Sequence, residues 1–284
     1  MKIGFKLTSS LLETFNVRSD SLTHLTVKEM SVERCMDTIR GSPVLRYFKT
    51  GLTDAVPIED FVPPLPVVHE VLESLALLVA MDPNLLDRLL PLLTLPALHT
   101  LDLDLVGNQD PHIVQDFLRR SSAPITSMKH MYEQECHSRN LPSFQAITAH
   151  TPSLTHLHLY YDDILEKDNA EYVDTTILIY LVETGKPRHD DPSYTPPLPQ
   201  LQSLTCTSPR VNMPKLIPCD ILPGLFPFST PGSGEPSLRP IKSLITSESC
   251  WPGEPYLRAL LPLRQAGIDF GHRNTTLDSM AALA

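Results

Sequence analysis

The chain has 284 residues, 42% of them hydrophobic, and carries a net charge of −10 from 23 basic and 33 acidic side chains. It holds 28 prolines against 11 glycines, a balance that punctuates short elements and argues against long helices or a large regular sheet. No basic cluster with interleaved aromatics offsets the acidic charge, so nucleic acid is an unsuitable partner.

The five cysteines (Cys35, Cys136, Cys206, Cys219 and Cys250) are odd in number and scattered, without a C-x-x-C pair. That pattern implies neither a disulfide framework nor a zinc clip, and it fits a reducing compartment. Lys6 and polar residues interrupt the N-terminal stretch, so it lacks a signal-peptide core. No apolar run reaches the roughly 20 residues of a membrane helix. The expectation is a soluble protein of the cytoplasm or nucleus, with no membrane partner.

From Leu22 onward an apolar-x-x-apolar-x-apolar frame recurs. Its members are Leu22/Leu25/Val27, Leu45/Phe48/Thr50, Leu72/Leu75/Leu77, Leu98/Leu101/Leu103, Ile125/Met128/His130, Leu154/Leu157/Leu159, Leu201/Leu204/Cys206 and Ile241/Leu244/Thr246. Lead positions are 23, 27, 26, 27 and 29 residues apart, then 47 and 40. The first five intervals match leucine-rich repeats, and the last two read as repeats carrying insertions. A proline corner precedes several frames: Ser42-Pro43, Leu95-Pro96, Ala123-Pro124, Thr151-Pro152 and Leu198-Pro199. The strands then alternate with period two, as in Leu101-Asp102-Leu103-Asp104-Leu105.

Helical spacing fills the intervals. Val32, Met36 and Ile39 mark one face of residues 31–40, with Gly41 as a C-terminal cap. Asp82-Pro83 and Asp110-Pro111 each open a helix, over residues 84–93 and from 111 onward, and Arg119-Arg120 falls at the second helix's negative end. Around Val68–Val79 the pattern predicts strand from about Ser74 onward and helix only before it. Residues 185–199 and 223–240 are proline-rich and read as loops, with a short degenerate helix over 211–222 between them. Residues 255–270 predict a terminal cap: a helix ending at Gly267, then a strand over 268–270.

These elements predict an α/β fold, an irregular leucine-rich-repeat solenoid with proline-rich insertions in its C-terminal third. Residues 1–184 would form the more regular array. Residues 185–270 would hold degenerate repeats and the cap, and 271–284 a flexible tail.

The leucine runs at Leu72–Leu105, the Ala149–Tyr160 frame and the closing Leu257–Phe270 stretch resemble the leucine-rich region of fungal F-box proteins. In that family the repeats select a substrate, and a separate F-box docks onto a cullin-type ubiquitin ligase. The first frame already begins at Leu22, so an F-box is expected only upstream of this chain. The resemblance implies a protein ligand, and the ligase as a further partner if that upstream segment exists. The rival expectation is a stand-alone interaction scaffold.

Side chains that alternate with the buried leucines face outward and form the expected binding stripe: His24, Thr26 and Lys28; Tyr47 and Lys49; Thr100, Asp102 and Asp104; His156, His158 and Tyr160. Metal binding finds no third ligand beside His156/His158, and His130/Cys136/His137 matches no zinc spacing. His69-Glu70 lacks the second histidine of H-E-x-x-H, and no G-x-S-x-G elbow occurs. Gly232-Ser233-Gly234 lacks a phosphate-loop context. Asp162-Asp163 and Asp190-Asp191 are adjacent pairs that do not converge on one atom. The expectation is therefore no catalytic site, cofactor or metal; the enzyme alternative is a hydrolase whose triad is assembled across loops.

Overall fold

The computed structural model describes residues 2–4, 20–53, 64–79, 84–103, 110–133, 137–162, 176–191, 193–207, 221–227, 237–247 and 263–273. The chain divides into two compact units, Met1–Lys129 and His130–Ala284. In the first unit the main-sheet strands are β1 (Lys2–Gly4), β2 (His24–Met30), β3 (Tyr47–Leu52), β5 (Ser74–Val79), β7 (Thr100–Leu103) and the start of β8 (Ser127–Glu133), neighbours in that order. Two short strands, β4 (Val67–Val68) and β6 (Leu93–Thr94), pair separately. In the second unit β9 (His156–Asp162), β10 (Ser203–Thr207), β11 (Ser243–Ser247) and β12 (Asp269–Arg273) follow one another. The pairings β1–β2, β2–β3, β3–β5, β5–β7, β9–β10, β10–β11 and β11–β12 are all parallel.

Among the described residues the crossovers contain five α-helices: α1 (Val32–Arg40), α2 (Asn84–Leu89), α3 (Pro111–Ser121), α4 (His137–Thr148) and α5 (Thr176–Gly185). This parallel sheet with few flanking helices corrects the expected fold class: the chain is not the leucine-rich-repeat solenoid that its periodicity predicted. The physical reason lies in the period itself. A parallel pair needs a strand plus a crossover of a dozen or more residues, so 23–29 residues between frames suits any parallel α/β sheet equally well.

The frames do specify what is buried. All three positions of all eight frames are inaccessible, including the polar Thr50, His130 and Thr246. The prolines act more specifically than as corners. The amides of Leu45, Leu98, Leu154 and Leu201 donate to the carbonyls of Ser42, Leu95, Thr151 and Leu198 at 3.0–3.2 Å. Pro43, Pro96, Pro152 and Pro199 thus occupy the second position of β-turns, where a fixed φ is an advantage.

Just after each turn, one carbonyl accepts two amides from the following strand's entrance. Thr23 O accepts from Arg46 N and Tyr47 N, Arg46 O from Glu73 N and Ser74 N, Glu73 O from His99 N and Thr100 N, and His99 O from Thr126 N and Ser127 N. In the second unit Thr155 O accepts from Gln202 N and Ser203 N, and Gln202 O from Lys242 N and Ser243 N.

Local signals placed several helices. Ser31 caps α1, its Oγ accepting from Arg34 N at 3.5 Å, and Asp110 caps α3, its Oδ1 accepting from His112 N at 3.0 Å. The helix predicted from Asn84 is α-helical only to Leu89 and tightens into a 3₁₀ turn over Leu90–Leu92. Before Ser74 no helix forms: Val67–Val68 is strand and a turn follows, because pairing with β6 satisfies that backbone instead. Gly267 has φ +88°, and β12 runs past the predicted end to Arg273. Residues 82–83, 104 and 211–220 lie outside the described residues, and the expectations placed there with them.

Candidate functional site: the outward rows of the parallel strands

Because parallel strands pair residue for residue, side chains that point outward line up in rows across the sheet, with strands about 4.8 Å apart. In the first unit His24, Tyr47, Ser74 and Thr100 form one row. Thr26, Lys49, Ala76 and Asp102 form the next. His24 and Tyr47 are stacked, with centroids 5.9 Å apart and planes at 24°. The Tyr47 hydroxyl is half-buried, and burial pushes its pKa above the usual phenol value.

Asp102 is the most constrained charge of these rows. Burial raises its carboxyl pKa, against the opposing pull of Lys129 and Lys49. Lys129 Nζ lies 4.0 Å from Asp102 Oδ1, and both side chains are less than a third exposed. Between Lys49 and Asp102 the row is occupied only by Ala76, itself buried. Although Ala76 lies on the outward side it is buried, so neighbouring side chains close over it, with a cation on one side and a carboxylate on the other. Lys28 stands apart: the β2–β3 register shifts between Val27 and Glu29, and the exposed Lys28 pairs with the neighbouring Glu29 at 3.4 Å.

The second unit has its own rows. His156, Ser203, Ser243 and Asp269 are register partners, as are His158, Thr205, Ile245 and Gly271. His158 Nε2 is 2.5 Å from Thr207 Oγ1, and its ring meets Tyr160 edge-on at 6.3 Å. His156 is exposed and bonds the adjacent Thr155 hydroxyl at 2.8 Å. His156 and Asp269 are three strand steps apart, about 14 Å at ordinary spacing. A carboxylate at that distance cannot orient the imidazole as a hydrolytic triad requires. Among the described residues no three His, Cys, Asp or Glu side chains converge as metal ligands. His130 is buried in the third place of its frame, and Cys136 lies outside the described residues.

Of the residues singled out from sequence, the structure brings together His24 with Tyr47, Lys49 with Asp102 across Ala76, and His158 with Tyr160. Thr100 sits at the end of the His24 row, and Asp104 lies outside the described residues. Sequence reasoning missed Lys129, Ser74, Ser203, Ser243 and Asp269. Lys129 was legible by the same rule, since it falls between Met128 and His130 of a frame as Asp102 falls between Leu101 and Leu103.

No protein-family model matches this chain, and no curated protein matches it. Among the described residues no helix is long and apolar enough to cross a membrane.

Proposed function

We propose that the chain is a non-catalytic protein-binding module that presents the outward rows of its parallel strands to another polypeptide. One observation carries the reading: the Lys49–Ala76–Asp102 row, extended by Lys129, holds a largely desolvated carboxylate between partly exposed cations on the outward side of the strands. Charges held in place in this way favour a partner of complementary pattern and reject others, at little cost in reorganisation. The stacked His24–Tyr47 pair beside it adds aromatic area of the kind that dominates binding energy. Substrate selection for a cullin-type ligase, in cytoplasm or nucleus, is proposed as the cellular context on the sequence resemblance alone, since the repeat solenoid that the resemblance implied is not the fold.

The test is quantitative affinity capture with the wild-type chain and with a Tyr47→Ala, Asp102→Asn double variant. A second variant carries His156→Ala, His158→Ala and Tyr160→Ala. Partners bound through the first unit should fall at least tenfold with the double variant and survive the triple one. Identical partner sets for all three proteins would overturn the assignment. Ligase subunits absent from captures made with any longer form of the chain would remove the ubiquitination context alone.

A further inference from the structure

Three cations on or beside the strands of the first unit each have a carboxylate partner. Lys28 pairs with Glu29 at 3.4 Å, Arg46 with Glu73 at 2.7 Å, and Lys129 with Asp102 at 4.0 Å. Lys49 of β3 has no ion pair among the described residues, although its side chain is half-buried. Asp102 acts on it only from two strands away, across the buried Ala76. An ammonium that has lost part of its hydration and gained no counter-ion carries an uncompensated cost in the free chain.

Two hydroxyls stand beside that ammonium. Thr26 is the register partner of Lys49 on β2, and its hydroxyl is hydrogen-bonded to Tyr47. Tyr47 precedes Lys49 by two residues and so shares its outward side. An ammonium and two hydroxyls are donors suited to one anionic oxygen group. On the β7 side Asp102 bounds this place, where a second anion would meet like charge. Two lysines and one aspartate leave the row a surplus of one positive charge, in a chain whose net charge is −10. One carboxylate matches that surplus. A polyanion such as nucleic acid would meet the repulsion of the whole chain instead.

We propose that the polypeptide bound by these rows seats one acidic side chain, Asp or Glu, on Lys49, with the Thr26 and Tyr47 hydroxyls as further donors. The inference rests on the protein-binding reading of the rows and names the chemistry that the partner brings. Its carboxylate supplies the counter-ion that Lys49 lacks, through charge-assisted hydrogen bonds of the stronger kind. The stacked His24–Tyr47 pair offers aromatic area next to the acid.

The experiment selects binders from a random heptapeptide display library on the immobilised full chain, then measures the synthetic peptides by fluorescence anisotropy. Peptides whose affinity falls with Tyr47→Ala report on the rows. Among them Asp or Glu should recur at one position, and its replacement by Asn or Gln should weaken binding by about tenfold. Lys49→Met, which keeps the apolar stem and removes the charge, should cost the same factor and abolish the preference for acid over amide. Lys49→Glu should reverse that preference. Unchanged circular dichroism confirms that these variants remain folded. Row-dependent peptides without an acidic preference, or an acidic preference that survives Lys49→Met, would overturn the inference and leave the protein-binding reading in place. A library that yields no peptide sensitive to Tyr47→Ala would overturn both.

Discussion

Arg239 is 1% exposed, yet among the described residues no carboxylate contributes to holding its charge. Its guanidinium donates from Nε to the Pro197 carbonyl at 2.9 Å, from Nη2 to Thr184 Oγ1 at 2.7 Å, and from Nη1 to the Leu181 carbonyl. Burial lowers its pKa to about 10, so it remains a cation at neutral pH. Two of these acceptors belong to the last turns of α5, where the helix dipole favours positive charge. Arg239→Met keeps the apolar stem and removes the donors. Two buried carbonyls then lose partners at about 1–3 kcal/mol each. Against that, the cost of burying a cation disappears, which returns part of the sum. The expected net loss is about 2–4 kcal/mol. Urea unfolding followed by circular dichroism measures it, and hydrogen exchange of the α5 amides assigns it to the second unit, since two units need not unfold together. Gly185→Ala tests the same packing, because its Cβ would sit 2.5 Å from Arg239 Nη1 and 2.6 Å from Ser237 Oγ. It should cost less in the Arg239→Met background than in wild type. A loss below about 1 kcal/mol for Arg239→Met would refute the reasoning, by showing that water replaces the guanidinium without penalty.

The remaining expectations concern single groups. Burial lowers the His130 imidazole from 6.5 to about 3, so the ring is neutral in the fold. Its contribution is therefore complete above pH 6.5 and is lost as pH falls toward 3. His130→Leu should flatten the stability of the chain across that window, by an amount on the order of a few kcal/mol; equal pH slopes for both proteins in urea melts would contradict this. Asp102 has the opposite sign: its raised pKa means that the ionised carboxylate is disfavoured by folding, a cost that appears as pH rises through the folded value. Asp102→Asn should leave stability at pH 7 unchanged or raise it by under about 1 kcal/mol, and a larger loss in thermal melts would mean that the lysines outweigh burial. Arg120 donates to the Leu90 and Leu93 carbonyls from an exposed position. Arg120→Met should cost about 1 kcal/mol, clearly less than Arg239→Met in the same melts, and parity would remove burial as the deciding factor.

How much of this was legible in the chain depends on which physical signal each element leaves. Leu101 and Leu103 alternate with Asp102, so strand, buried face and outward face were all readable. Ser31 and Asp110 stand before helical spacing, and both are caps. The fold class was not legible, because a recurrent leucine frame constrains one strand and its turn and says nothing about which sheet the crossovers build. Helix α4 was hidden by Pro142 in its interior, a residue costing about 3 kcal/mol in a helix. Its compensation is tertiary: Phe144 and Ile147 are fully buried, and Phe144 meets Tyr180 of α5 edge-on at 6.0 Å. Helix α5 left a blurred stripe, since the exposed Ile179 and the partly exposed Tyr180 extend apolar character beyond the buried face of Ile177, Leu178, Leu181 and Val182. Arg239 sits at the end of a proline-rich stretch read as loop, and a buried arginine bound to carbonyls has no sequence signature.

The outward rows exist only because the buried frames hold them in register. A slip of one residue between neighbouring strands would turn His24, Tyr47 and Lys49 inward and expose Leu25 and Phe48. The turn prolines and the carbonyls of Thr23, Arg46, Glu73 and His99, each accepting two amides from the next strand, fix that register strand by strand. Substitution should therefore separate by parity along each strand. Phe48→Ala, at a fully buried frame position, should cost about 3–5 kcal/mol. Lys49→Ala, one residue on, should change stability by under about 0.5 kcal/mol while weakening a partner that reads the Lys49–Ala76–Asp102 row. If both substitutions fell on stability alone, the row would be a solvated strand face, and its alignment would report the architecture of the sheet without a ligand to select it.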